Sequence, residues 1–193
     1  MRSFCSRLTA RCWGDAEGLA PAIAPRQLMA QTIERSDRIT RASMALARSA
    51  VIEDLEPLLA LFAASEVSAT AEPFQRAREI WLQTIRCDGV TVFVSEVQGK
   101  IVASCMLITA PNLLRSGRSH AFLENVVTHP DFQGRGHDRA VVEAALAKAW
   151  SSDCHHVLMQ SGRANPRVHR FYERCGFEPG LRTAYVAHRP PGL

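Results

Sequence analysis

The sequence lacks any long hydrophobic run, and no stretch approaches the roughly 18 apolar residues that a membrane-spanning helix needs. It also lacks closely spaced cysteines, because its six cysteines form no Cys-x-x-Cys pair. These two absences exclude a transmembrane protein and argue against a zinc site or a disulfide framework. We therefore expect a cytoplasmic protein that needs no metal and has no membrane partner.

A strong excess of one charge is also missing from most of the chain. Residues 1–43 hold seven arginines and four acidic residues, whereas residues 44–193 hold sixteen basic and fifteen acidic residues. Binding to the phosphate backbone of nucleic acid requires a clustered basic face. The near-neutral balance after residue 43 therefore argues against nucleic acid as the main partner.

Residues 1–43 do not have the pattern of a folded domain. Two prolines interrupt the stretch 18–25, and no apolar period of 2 or 3.6 persists. No apolar core of a secretory signal follows the first arginines, and Asp15 and Glu17 disfavour a mitochondrial transit segment. We expect a disordered extension over 1–43, with Met44 as an alternative start of translation.

From Met44 onward, strand-like and helix-like segments alternate, which predicts a mixed α/β domain over residues 44–193. The predicted strands span residues 44–50, 90–97, 101–110, 120–128, 155–160 and 181–187. The predicted helices span residues 52–64, 136–150, 167–174 and a segment that begins near Pro73 and stops at Asp88-Gly89. On the helix over 136–150, the residues predicted to face inward are Val141, Val142, Ala145, Leu146, Ala149 and Trp150.

The segment from Val126 to Asp138 carries a predicted strand, a glycine-rich loop and the start of a helix. Gly134 and Gly136 let the backbone approach an anion closely, and the helix dipole adds partial positive charge, so the loop suits phosphate. The loop is not a P-loop, because no Gly-Lys-Ser/Thr follows. It is not the dinucleotide fingerprint either, since that would require glycine at Arg139.

Two motifs, in the right order, resemble those of the GNAT superfamily of N-acetyltransferases. Residues 133–136 (Gln-Gly-Arg-Gly) resemble its motif A, and residues 165–177 resemble its second signature, Asn-x-x-x-x-x-Phe-Tyr-x-x-x-Gly-Phe. The resemblance covers residue 44 to about residue 188 and implies the α/β GNAT fold. In that fold we expect a mixed central sheet of about six to seven strands with about four flanking helices.

The resemblance also implies acetyl-CoA as co-substrate and assigns residues to it. Backbone groups of Val126, Val127 and Thr128 would bind the pantetheine arm, and the N–H of Val126 would stabilise the oxyanion. Asn165 matches the asparagine that contacts CoA. The residues whose amides would hold the pyrophosphate are Gln133, Gly134, Arg135, Gly136, His137 and Asp138.

Two residues are candidate catalytic groups. Tyr172 matches the tyrosine that protonates the departing thiolate in many relatives, although a packed aromatic ring is the alternative interpretation. Glu124 has Phe122 and Val126 as its neighbours in a period of 2, so it is either a base at the cleft or a structural ion-pair partner.

Asp138 departs from motif A, which normally closes with glycine or alanine. Its carboxylate would weaken CoA binding by like-charge repulsion unless it points away or pairs with Arg135 or Arg139. A protonated His137 would offset part of that charge.

The leading hypothesis is an N-acetyltransferase that acetylates a primary amine of a small molecule. The alternatives are a catalytically weak acyl-CoA-binding or regulatory module and a protein N-acetyltransferase. The sequence does not set the oligomeric state, and a homodimer is one option. Two pairs of basic residues, Arg76/Arg78 and Arg115/Arg118, fall in regions that form acceptor sites in this fold and leave a case for an anionic substrate.

Overall fold

The computed structural model describes residues 45–65, 67–162 and 165–190 of the chain. The expected disordered extension over residues 1–43 therefore lies outside the described residues, and the domain boundary at residue 44 stays a prediction. None of the helices in the described ranges has the length and apolar character required to cross a membrane.

Five strands form one mixed sheet in the order β1-β2-β3-β4-β5. The strands are β1 (Ala47–Ser49), β2 (Val90–Val97), β3 (Lys100–Ala110), β4 (Ser119–Thr128) and β5 (Cys154–Met159). The first three pairings are antiparallel, and only β4 and β5 run parallel. The parallel pair requires a crossover connection, which the helix between these two strands supplies.

Four α-helices flank this sheet. They are α1 (Leu55–Ser65), α2 (Phe74–Arg86), α3 (His137–Ser151) and α4 (Pro166–Arg174). A single 3₁₀ turn, Ile52–Asp54, leads into α1. The α/β fold is therefore as predicted, and the helices match the predicted segments to within one to three residues at their ends.

The two faces of the sheet carry separate apolar cores, because successive residues of a strand point to opposite faces. On one face, α3 packs against the sheet; this α3-side core includes Phe93, Cys105, Leu107, Ala121, Leu123, Val141, Val142, Ala145 and Ala149. On the other face, α1 and α2 cover the sheet; this α1/α2-side core comprises Leu58, Leu61, Trp81, Val92, Val94, Ile101 and Val127.

An ion-pair network fixes the entry of the chain into this fold. Arg48 on β1 donates to both carboxylate oxygens of Asp54, at 2.6 and 2.9 Å, and to Glu96 at 2.6 Å. The buried Asp54 also accepts the backbone N–H of Val51 at 2.8 Å. The hydrogen bonds from Arg48 hold the pKa of Asp54 below its usual 3.8.

Two expectations about the elements are wrong. The prediction of six to seven strands fails because residues 181–187 form no strand; Leu181 and Tyr185 are 73% and 90% exposed. A β-rich pattern makes a strand only where an edge accepts its hydrogen bonds, and β5 pairs with β4 alone among the described residues. Trp150 does not face inward but is 53% exposed, because the buried stripe of α3 ends at Ala149.

Candidate active site

β4 extends beyond its pairing with β5. Their ladder runs from Ser119↔Cys154 to Leu123↔Met159, whereas β4 continues to Thr128. β5 ends at Met159, so β4 has no β5 partner beyond Leu123, and a cleft of about 1130 Å³ lies at this point, lined by β4 residues, Met159 and the residues that follow it.

A β-bulge lies at the same place on β4. The pairing with β3 passes from Glu124 directly to Val127, so that Asn125 and Val126 together oppose one residue of β3. Asn125 has φ 51°, a left-handed conformation that asparagine tolerates better than most residues. A bulge of this type bends the strand and interrupts its ladder.

The bulge changes which face of the sheet each β4 side chain meets. Leu123 belongs to the α3-side core, so Glu124 points to the α1/α2 side, where it lines the cleft as an exposed carboxylate. Val126 packs on the α3 side, and Val127 returns to the α1/α2 side. The expectation that Glu124 and Val126 share one face is therefore wrong, because the extra residue shifts the period of 2 by one position.

The glycine-rich loop opens into the cleft at the start of α3. Gly134 and Gly136 have φ of 70° and 86°, and a Cβ built on either meets no atom within 4 Å. The first helical hydrogen bond runs from the N–H of Ala140 to the carbonyl of Gly136. The N–H groups of residues 134–138 make no hydrogen bond within the described part of the chain, so they offer a donor set for an anion.

Asp138 lines the cleft, and neither nearby arginine neutralises it. Its Oδ1 accepts the N–H of Arg139 at 2.8 Å, while the guanidinium of Arg139 donates to Glu143 at 2.7 Å. Arg135 lies over the ring of Phe132, 5.1 Å from its centroid. The negative charge that the sequence places beside the loop therefore stays uncompensated by these side chains.

The side chain of His137 lies away from the cleft. Its Nδ1 is 2.9 Å from the hydroxyl of Ser95, which itself donates to the carbonyl of Leu46 at 2.7 Å. Because the hydroxyl proton is already used, Nδ1 of His137 must be the donor. Burial lowers the pKa of His137 below its usual 6.5, so the structure favours a neutral ring and not the compensating charge.

Asn165 and Tyr172 both lie on the cleft, at the start and near the end of α4. Asn165 is also the N-cap of α4, because its Oδ1 accepts the N–H of Arg167 at 2.9 Å. The ring of Tyr172 packs edge-on against Phe171 and Phe177, with centroids 4.9 and 5.9 Å away. The packing interpretation and the functional interpretation of Tyr172 are thus compatible.

The match of this chain to known proteins agrees with the interrupted pairing of β4 and the glycine-rich loop. A family model described as the acetyltransferase (GNAT) family matches residues 55–177. The chain belongs to the GNAT acetyltransferase family.

Individual relatives extend this assignment. A glucosamine 6-phosphate N-acetyltransferase of Trypanosoma brucei brucei is 31% identical over 86 residues, which are 45% of this chain and 56% of that protein. The chain thus spans about half the length of this curated relative. A solved structure from Agrobacterium tumefaciens str. C58, named as an acetyltransferase, is 37% identical with a TM-score of 0.69, over 74% of this chain and 99% of that one.

A more distant structure shares the fold alone. The glucosamine-6-phosphate N-acetyltransferase from Arabidopsis thaliana is 20% identical with a TM-score of 0.65, over 76% of this chain and all (100%) of that one.

Sequence reasoning missed much of the lining of this cleft. The wall opposite the sheet comes from α1, α2 and the loop between them, and α4 adds Arg167 and Arg174. The two arginine pairs singled out from the sequence do not line the cleft: Arg76 lies 3.6 Å from Glu79, and Arg118 donates to Asp153 at 2.9 Å. These two pairs therefore give no support for an anionic substrate.

The histidines of β5 do not form a metal site with their neighbours. His155 and His156 contact each other through their Nδ1 atoms at 3.3 Å, and the next ring, His120, has its centroid 6.2 Å from that of His156. Among the residues that the structure describes, no three histidine, cysteine or acidic side chains are grouped so as to hold a metal ion.

Proposed function

We propose that this acetyltransferase moves the acetyl group of acetyl-CoA directly to the primary amine of a small molecule. The observation that carries the proposal is the coincidence of three features: the end of the β5 pairing at Leu123, the bulge at Asn125 and the exposed Glu124 beside it. Together they place a carboxylate and unpaired β4 backbone at the mouth of one cleft.

The residues of the loop fit the phosphates of CoA. The N–H groups from Gln133 to Asp138 would hold the pyrophosphate, and the open space at Gly134 and Gly136 leaves room for it. Val126, Val127 and Thr128 would hold the pantetheine arm through backbone groups, and Asn165 would contact CoA with its side-chain amide. When bound, acetyl-CoA supplies the activated thioester.

The remaining chemistry belongs to residues of this chain. An alkyl ammonium must lose a proton before its nitrogen can attack, and Glu124 would collect that proton directly or through water. The N–H of Val126 would stabilise the oxyanion at the bulge. The hydroxyl of Tyr172 would protonate the departing thiolate.

A second function is favoured by Asp138, which lines the cleft without a guanidinium partner. If its charge keeps acetyl-CoA binding weak, the chain would act as an acyl-CoA-binding or regulatory module with little turnover.

The cellular location and the assembly of the protein belong to the proposal as well. The four described cysteines are free thiols, which supports a reducing, cytoplasmic compartment, and a homodimer remains an expectation.

Acetyl transfer to a broad panel of primary amines, detected as acetylated product by mass spectrometry, tests the proposal. A parallel calorimetric titration with CoA measures binding without chemistry. We expect turnover of at least one amine, and its loss in Glu124→Gln with unchanged CoA affinity. CoA binding with no turnover of any amine would instead identify the binding module.

A further inference from the structure

We propose that the acceptor end of the cleft takes a primary amine on an uncharged, apolar body, such as an arylalkylamine or alkylamine, and not an amine that also carries a phosphate. This inference rests on the proposed N-acetyltransferase function and names its substrate class. It follows from the wall that α1, α2 and their connecting loop build opposite β4.

The wall contains no charged side chain among its described residues. On α2, the lining positions recur at helical spacing and so form a single stripe, while the charged residues of α2 lie off this stripe. The described lining residues of the wall are Leu55, Leu59, Phe62, Ser65, Val67, Ser68, Ala69, Thr70, Ala71, Ala77, Ile80, Trp81 and Thr84.

The side-chain donors that the two helices contribute to the wall already have partners. The hydroxyl of Ser65 donates to Leu61 at 2.8 Å, and that of Thr84 donates to Ile80 at 2.9 Å, both within their own helices. The indole N–H of Trp81 donates to the carbonyl of Ile52 at 2.9 Å. A sugar ring placed against these helix residues would exchange water for groups that already have partners, which costs free energy.

Apolar groups of the wall remain available to a ligand. Ile80 and Val67 are each 39% exposed, and Phe62 is half-buried. Covering such groups with an apolar ligand is favourable in proportion to the area removed from water. Desolvation also lowers the pKa of a bound amine, which favours the neutral nucleophile that the reaction needs.

The charged residues of the cleft also bear on the choice between an amine with and an amine without a phosphate. The charged described residues of the cleft are Glu124, Asp138, Arg167 and Arg174. Glu124 lies on the face of the sheet that α1 and α2 cover, whereas the two arginines lie on α4 and Asp138 lies in the first turn of α3. A carboxylate attracts an incoming ammonium and repels a phosphate.

The first experiment compares kcat/KM within matched amine pairs. From propylamine to hexylamine, we expect an increase of about 4-fold per methylene as each is buried. Glucosamine 6-phosphate and O-phosphoethanolamine should react more slowly than glucosamine and ethanolamine. A flat alkylamine series, or a phosphate that raises kcat/KM, overturns the inference while leaving the N-acetyltransferase function intact.

The second experiment tests the wall with a charge. Ile80→Lys places an ammonium in the wall at a partly exposed position, and Gln83→Lys makes the same change on α2 outside the cleft lining. We expect kcat/KM for 2-phenylethylamine to fall about 10-fold or more in the first variant and to stay within about 2-fold in the second. Equal effects of the two variants contradict the inference.

Calorimetry of amines with the CoA-loaded protein separates the two proposals. Tighter binding of hexylamine than of propylamine, without turnover of either, supports the apolar wall and removes the proposed chemistry. Binding that does not depend on chain length removes the wall as the specificity element, whatever the turnover.

Discussion

His137, the first residue of α3, donates from Nδ1 to the hydroxyl of Ser95 on β2 across 2.9 Å, and both side chains are buried. The contact joins the helix that carries the glycine-rich loop to the middle of the sheet. It therefore fixes the position of the loop relative to the sheet, through a side chain that does not line the cleft.

We predict that His137→Gln loses about 1–3 kcal/mol of unfolding free energy, because an amide fits this buried site less well than imidazole. Urea unfolding measures the loss. The pKa of His137 is lowered by burial, so its stabilising contribution is present above 6.5 and is lost as the pH falls below that value. The parent should lose more stability than His137→Gln between about pH 7 and pH 5; parallel curves would contradict a neutral buried His137.

The network of Arg48 and Asp54 predicts a second, more acidic transition. Since hydrogen bonds from Arg48 lower the pKa of Asp54, their contribution is present above 3.8 and is lost as the pH falls below it. Asp54→Asn should cost about 1–3 kcal/mol at pH 7 and less at pH 3, measured by urea unfolding at both pH values. A loss of unfolding free energy that does not depend on pH would show that the packing of the Asp54 side chain, and not its charge, stabilises this part of the fold.

Tyr172→Phe keeps the ring that packs against Phe171 and Phe177 and removes only the hydroxyl. We expect a fall in kcat on the order of 10²-fold, because the thiolate loses its proton donor. Steady-state kinetics, under conditions where the chemical step limits the rate, measures the fall in kcat. An unchanged kcat would leave Tyr172 with a packing role alone.

Asp138→Asn keeps an oxygen that can accept the N–H of Arg139 and removes only the charge. We expect CoA affinity to rise several-fold at low salt, about 1 kcal/mol, and the gain to shrink as salt screens the repulsion. Asp138→Gly should give a similar gain with some loss of helix stability. Glu173→Gln on α4, outside the cleft lining, is the control of equal charge change. No gain in either Asp138 variant at low salt would mean that this carboxylate does not meet the phosphates.

The local patterns of this chain were sufficient for most of its elements. The glycines before α3 and the apolar spacing of α1 to α3 depend on neighbours within one or two turns, and these predictions hold. The bulge at Asn125 escaped prediction because it breaks the period of 2 by a single residue, inside a strand whose composition stays β-rich. An asparagine in mid-strand was the available signal, since this residue accepts left-handed backbone.

Contacts between distant segments could not be read from the sequence. Ser95 and His137 are 42 positions apart, and the wall residues come together with Glu124 only when α1 and α2 pack on the sheet. The exposed segment after α4 illustrates the converse: residues 181–187 have strand-like composition, but a strand forms only when an edge pairs with it.

The acceptor wall and the cofactor loop come from separate stretches of the chain, with the β2–β3 hairpin between them. The wall lies within residues 52–86. The other described residues that line the cleft lie from residue 123 onward. Under the proposed function, the first stretch would supply the apolar wall for the amine, while the second would supply Glu124 and the residues that hold the donor. Exchanging residues 52–86 as a block between relatives would carry amine preference with it, so new acceptors could be acquired by recombination at two points without rebuilding the donor half.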